Sequence, residues 1–160
     1  MSDYEELGNR YHFNRSTIHM LVEGFEAADW ARPASEAGGN TAHWIVGHLA
    51  VARRSVLRRL GEEIPEDAWE KAFEIQSSPD GTDDYPAPDV LLEDLRESGK
   101  KLSAVLAEMS PEKAAEEWGK PFPDGGTTLA DGAQFMHFHE SYHLGQLGLL
   151  RRITGKKGLF

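Results

Sequence analysis

The chain has 160 residues, enough to bury an apolar core without disulfides or a structural ion, so a metal found here would be functional rather than structural. Its 17 Lys and Arg face 27 Asp and Glu, and the resulting net charge of −10 works against the phosphate attraction that sustains nucleic-acid binding. There is no cysteine, which excludes disulfides, thiol nucleophiles and cysteine-based zinc sites and leaves His, Asp and Glu as the available metal ligands.

The chain starts polar and acidic, and no run of about 20 apolar residues occurs anywhere, so no membrane partner is expected and a soluble cytoplasmic protein is the default. Gly and Pro cluster at a few places and divide the sequence into four long periodic segments without an internal repeat.

The first segment, from about Asp3 to Trp30, carries Tyr4, Leu7, Tyr11, Ile18, Leu21 and Phe25 at steps of three and four around Asn14, which predicts one helical apolar stripe. It should stop before Arg32-Pro33, because the residue before proline is pushed out of the helical region. The second segment opens at Asn40-Thr41, both good N-caps, and runs to Leu60 with Gly61 as its stop. From Glu62 to Pro88 the chain is acidic and rich in turn residues, long for a connection within a domain. A short helical turn there would press Trp69 and Phe73 onto the bundle, either as the anchor of a solvated linker or as part of a lid over a pocket.

The third helix begins at Pro88-Asp89, with Asp89 as its cap, and buries Leu91, Leu95, Leu102, Val105 and Met109. Ser110-Pro111 then starts a short helix reaching Trp118, and residues 121–126 form a turn. Thr128 with Asp131 reads as a capping box for the last helix, which extends to about Ile153. The fold class is therefore all-α, a four-helix bundle in one domain over residues 1–160, with a long crossover between the second and third helices.

The chemistry concentrates on the last helix. His139 and His143 are four apart, so their rings project together, on a face otherwise carrying Met136, Leu147 and Leu150. Neutral imidazoles so placed can grip one divalent ion, although two core-edge histidines bonded to backbone or to Tyr142 would also fit the spacing. A metal site with an open position commonly has three protein ligands, and His48 is the best third, mid-helix on a face with Trp44, Ile45, Val51 and Ala52. A single His on an apolar face is often just a satisfied core residue, and His12 or His19, flanking the first stripe, could take its place.

His43 lies about 140° from His48 around the helix and reads as a cap or surface residue. His137 and Glu140 are expected to face solvent, and so are the pairs Arg53-Arg54, Arg58-Arg59 and Arg151-Arg152 near helix ends.

Two motifs, Trp44-Ile45-Val46-Gly47-His48-Leu49 and His139-Glu140-Ser141-Tyr142-His143-Leu144-Gly145-Gln146-Leu147 running into Leu149-Leu150-Arg151-Arg152, resemble those of the DinB-like superfamily of metalloenzymes. The resemblance implies a four-helix bundle with a long crossover and a divalent metal, zinc or nickel, held by three histidines, which by position are His48, His139 and His143. It also implies a small-molecule substrate, a homodimer, and in some members transfer of a low-molecular-weight thiol such as bacillithiol or mycothiol to an electrophile. On this reading Tyr142 and Gln146 are candidate substrate contacts. The alternatives are hydrolysis of a small ester, amide or lactone, and a metal-binding stress protein without turnover.

Overall fold

The computed structural model describes residues 3–75, 77 and 85–159. Its helices are α1 (Asp3–Val22), the single turn α2 (Ala27–Trp30), α3 (Ala42–Arg59), α4 (Pro88–Ala107), the single turn α5 (Pro111–Ala114) and α6 (Leu129–Ile153), with a 3-10 turn at Ala68–Phe73 between α3 and α4. Among the described residues there is no β-strand, only isolated bridges such as Glu117 to Thr128. The all-helical bundle read from the sequence is the fold observed.

Most boundaries follow the expected signals. Thr41 caps α3 by accepting from the Trp44 amide, and Gly61, at φ +100, supplies the left-handed residue that ends it. Thr128 and Asp131 form the reciprocal capping box of α6, and Ser110 caps α5.

Three boundaries differ. The first helix ends at Val22 rather than Trp30, because Gly24 turns into the left-handed region at φ +73 and α2 starts afresh behind Glu26. Ala87, not Asp89, occupies the N-cap of α4, since Pro88 already takes the first helical position that needs no amide donor. The short helix after Ser110 stops at Ala114, well before Trp118. The part of the acidic connection at residues 76 and 78–84 lies outside the described residues.

Around the bundle the order is α1, α4, α3, α6: α1 packs on α4 and α6, and α3 packs on the same two. One apolar cluster gathers Ile18 and Leu21 from the end of α1 with Ala42 and Ile45 from the start of α3, Leu91 and Leu95 from the start of α4, and Leu147 and Leu150 from the end of α6. A second cluster joins the opposite ends through Leu7, Leu57, Leu102 and Leu129. Hence α3 and α4 are parallel neighbours, and the chain leaving α3 must travel back along the bundle before α4 can begin. The 3-10 turn lies on that return path, packed against α3.

Candidate metal centre

His48 on α3 and His139 and His143 on α6 converge across the antiparallel α3–α6 interface. The Nε2 atoms of His48 and His143 each lie 3.1 Å from Nε2 of His139, and one ring nitrogen from each of the three falls within 4.8 Å of the others. His48 and His143 are buried and His139 half-buried. Among the described residues no other group of three or more His, Asp and Glu side chains converges in this way.

The outer nitrogens fix the tautomers. His48 Nδ1 lies 2.6 Å from the Phe73 backbone oxygen, which can only accept, so the proton sits on Nδ1 and Nε2 keeps its lone pair. His143 Nδ1 is 2.7 Å from the Gln146 side-chain oxygen, with the same consequence. Two lone pairs are thus aimed at His139 Nε2, and an N–H there could satisfy only one of them. His139 Nδ1 is buried and finds no hydrogen-bond partner among the described residues.

Three converging imidazole nitrogens form a donor set that fits a divalent ion. Ligands at about 2.0–2.1 Å from a tetrahedral ion stand roughly 3.3 Å apart, close to the 3.1 Å separations here. Electrostatics agree, since neutral imidazole is the ligating form. Burial, reinforced by the charges the neighbouring His143 and His48 would carry, lowers His139 to about 4. Burial is also the main reason His143 falls to about 4 despite its Gln146 bond, and it lowers His48 against the opposing pull of the Phe73 carbonyl.

The walls are aromatic. Trp44 stacks on His48 with centroids 4.6 Å apart and planes at 10°, and its Nε1 donates to Ser77 Oγ on the crossover. Tyr142 lies edge-on to His143 at 5.3 Å, is exposed, and accepts a bond from Gln146 Nε2 at 3.3 Å. Tyr142 and Gln146, the candidate substrate contacts, therefore stand beside His143 as a linked pair.

Several neighbouring residues are not where the sequence placed them. His43 is half-buried, with Nε2 bonded to the Pro86 oxygen and its ring edge-on to Tyr85, because the crossover folds over the start of α3. His137 is half-buried edge-on to Tyr11. Glu140 is 2% exposed and Arg53 1%, joined by two hydrogen bonds of 2.7 Å, so neither faces water. Arg54 is buried between Asp67, Glu70 and Asp94. Arg58 and Arg151 are half-buried, bound to Glu70 and to the Leu21 carbonyl, whereas Arg59 and Arg152 are exposed as expected, Arg59 also binding the Trp118 carbonyl. His12 pairs with Arg15, and neither His12 nor His19 joins the three rings.

A helical bundle with three imidazoles turned inward from two of its helices is the class that fold and site define. Residues 10–147 match the family model of the DinB superfamily, and the chain belongs to that superfamily. Among solved structures it is similar to YfiT from Bacillus subtilis, with a TM-score of 0.71 and 21% identity over 98% of this chain and 91% of that one. That protein is described as a probable metal-dependent hydrolase with an unusual four-helix bundle topology, and the likeness concerns the fold. No curated protein sequence matches the chain.

Proposed function

We propose that His48, His139 and His143 hold one divalent ion, zinc or nickel, and that the protein transfers a low-molecular-weight thiol to a small electrophile. The observation that carries this reading is the set of three Nε2 atoms, two with their lone pairs fixed inward by partners on Nδ1. Three neutral ligands leave a divalent ion its full charge and an open position that favours an anion. Bound there, the ion would supply a Lewis acid that lowers the pKa of a thiol brought against it.

The protein's own groups would hold and screen the reactants. Trp44, stacked on His48, would wall the site with apolar surface, while the exposed Tyr142 hydroxyl and its partner Gln146 offer polar contacts to a substrate arriving beside His143. Thiol transfer asks little more of the chain, because a thiol once deprotonated is itself the nucleophile.

A second reading, metal-dependent hydrolysis of a small ester, amide or lactone, is favoured by the fold's similarity to a protein described as a probable hydrolase. It calls for a general base near the ion, and the carboxylate nearest in sequence, Glu140, is already committed to Arg53.

Elemental analysis of protein purified without an affinity tag tests the metal. About one divalent ion per chain is expected in the wild type, with retention lost in His48→Ala, His139→Ala and His143→Ala while far-UV circular dichroism is unchanged. Wild type that takes up no ion would remove the reading. Cobalt-loaded protein whose visible spectrum shifts on adding a thiol, and which conjugates that thiol to an electrophile panel, supports transfer. Ester or lactone cleavage with no conjugation by any common cellular thiol selects hydrolysis instead.

A further inference from the structure

His48 is aimed by an atom outside its own helix. His143 is oriented by Gln146, one turn further along α6, whereas His48 Nδ1 donates to the backbone oxygen of Phe73, the last residue of the 3-10 turn on the crossover. The ring of the same Phe73 lies against α3 at Gly47, the residue before His48. A Cβ added at Gly47 would stand 2.3 Å from two ring carbons and 2.6 Å from a third, far inside contact distance. The ring is fully buried, with the rings of His43 at 6.0 Å, Trp69 at 6.0 Å and Tyr85 at 4.7 Å. The start of the turn is fixed separately, by the Asp67–Glu70 capping box and by ion pairs from Arg54 and Arg58.

We infer that Gly47 and Phe73 are a positioning pair for His48: bare backbone at Gly47 admits the Phe73 ring, and the seated ring places the carbonyl that keeps the imidazole proton on Nδ1 and the Nε2 lone pair inward. The consequence for metal affinity rests on the metal reading above; the consequence for the tautomer does not. A methyl at position 47 must push the ring outward, and the carbonyl moves with it. Hydrogen bonds weaken steeply once donor and acceptor separate beyond about 3.5 Å, so a small displacement releases the ring of His48 to rotate or change tautomer. Removing a partner that orients a ligating His typically weakens metal binding about 10–100-fold.

The test uses the full chain and two readouts. In metal-free protein, long-range proton–nitrogen NMR should show His48 protonated at Nδ1 in the wild type, and lose that signature in Gly47→Ala and in Phe73→Ala. Zinc affinity, measured by competition with a chromogenic chelator, should fall about 10–100-fold in each. In the double variant the methyl has room, so its affinity should match that of Phe73→Ala rather than fall by the product of the two effects. Leu102→Ala, in the opposite apolar cluster, loosens the core without touching the pair and should keep both the signature and the affinity. A folded Gly47→Ala or Phe73→Ala protein that keeps the Nδ1 proton and binds zinc within about twofold of wild type overturns the inference. Should Gly47→Ala not fold, the double variant carries the same readouts. Wild type that binds no zinc removes the metal reading alone, and the tautomer still decides whether the pair positions His48.

Discussion

Each histidine of the triad is built to be neutral, and that has a cost in acid that can be measured. In the unfolded chain these rings take up protons at about pH 6.5, whereas in the folded, metal-free protein His139 and His143 do so only at about 4. Between those limits the unfolded state holds more protons, so lowering the pH favours unfolding; above about 6.5 both states are neutral and the rings contribute no slope. Thermal melts of chelator-treated protein should therefore fall in midpoint as pH drops from about 6.5 to 4, and the double variant His139→Gln, His143→Gln should show a smaller fall, with the lowered His19, His48 and His137 keeping their share. Equal slopes in the two proteins would mean that the folded rings accept protons freely. The rings themselves were legible in the sequence, through the four-residue spacing on α6 and the motif around His48. The Phe73 oxygen that orients His48 was not, because every residue carries a carbonyl and none marks in sequence where it will point.

Just beyond the triad, α3 and α6 are tied by Arg53 and Glu140, each on the same helix as a ligand. Arg53 Nε and one terminal nitrogen donate to the two Glu140 oxygens, and the other terminal nitrogen donates to the Leu95 carbonyl on α4, so one guanidinium joins three helices. Truncating one member leaves a buried charge without its partner, and Glu140→Ala should lower stability by about 3–5 kcal/mol. Replacing both, as Arg53→Met with Glu140→Leu, should cost distinctly less, since the desolvation of two charges disappears with their attraction. Urea unfolding of the three proteins decides it; a single variant no worse than the double would show that the pair is not an obligate unit. Both residues were read from sequence as solvated because a helical wheel gives direction but not depth, and a partner 87 positions away leaves no local pattern. Local signals fared better, as the Thr128–Asp131 box did, because both of its members lie within one turn.

At the scale of the molecule, the two apolar clusters close both ends of the bundle through leucines from all four long helices. The long crossover was legible as an acidic stretch rich in turn residues, but its necessity comes from α3 and α4 running parallel, a relation that no single segment encodes. With the core assembled from leucine, isoleucine and aromatic side chains, the fold is expected to form without an ion, unlike a small zinc domain. The ion would join α3 to α6 at one more point and stabilise by mass action. At a free metal concentration about 100 times Kd the gain is roughly 2.7 kcal/mol, which for a chain of this size raises Tm by roughly 5–10 °C. Chelation is thus expected to leave the far-UV circular dichroism unchanged and to lower the calorimetric Tm by about that amount, while His48→Ala melts alike with and without metal. Loss of helix on chelation would instead make the ion a structural element, and the apolar clusters alone would then be insufficient to hold four helices together.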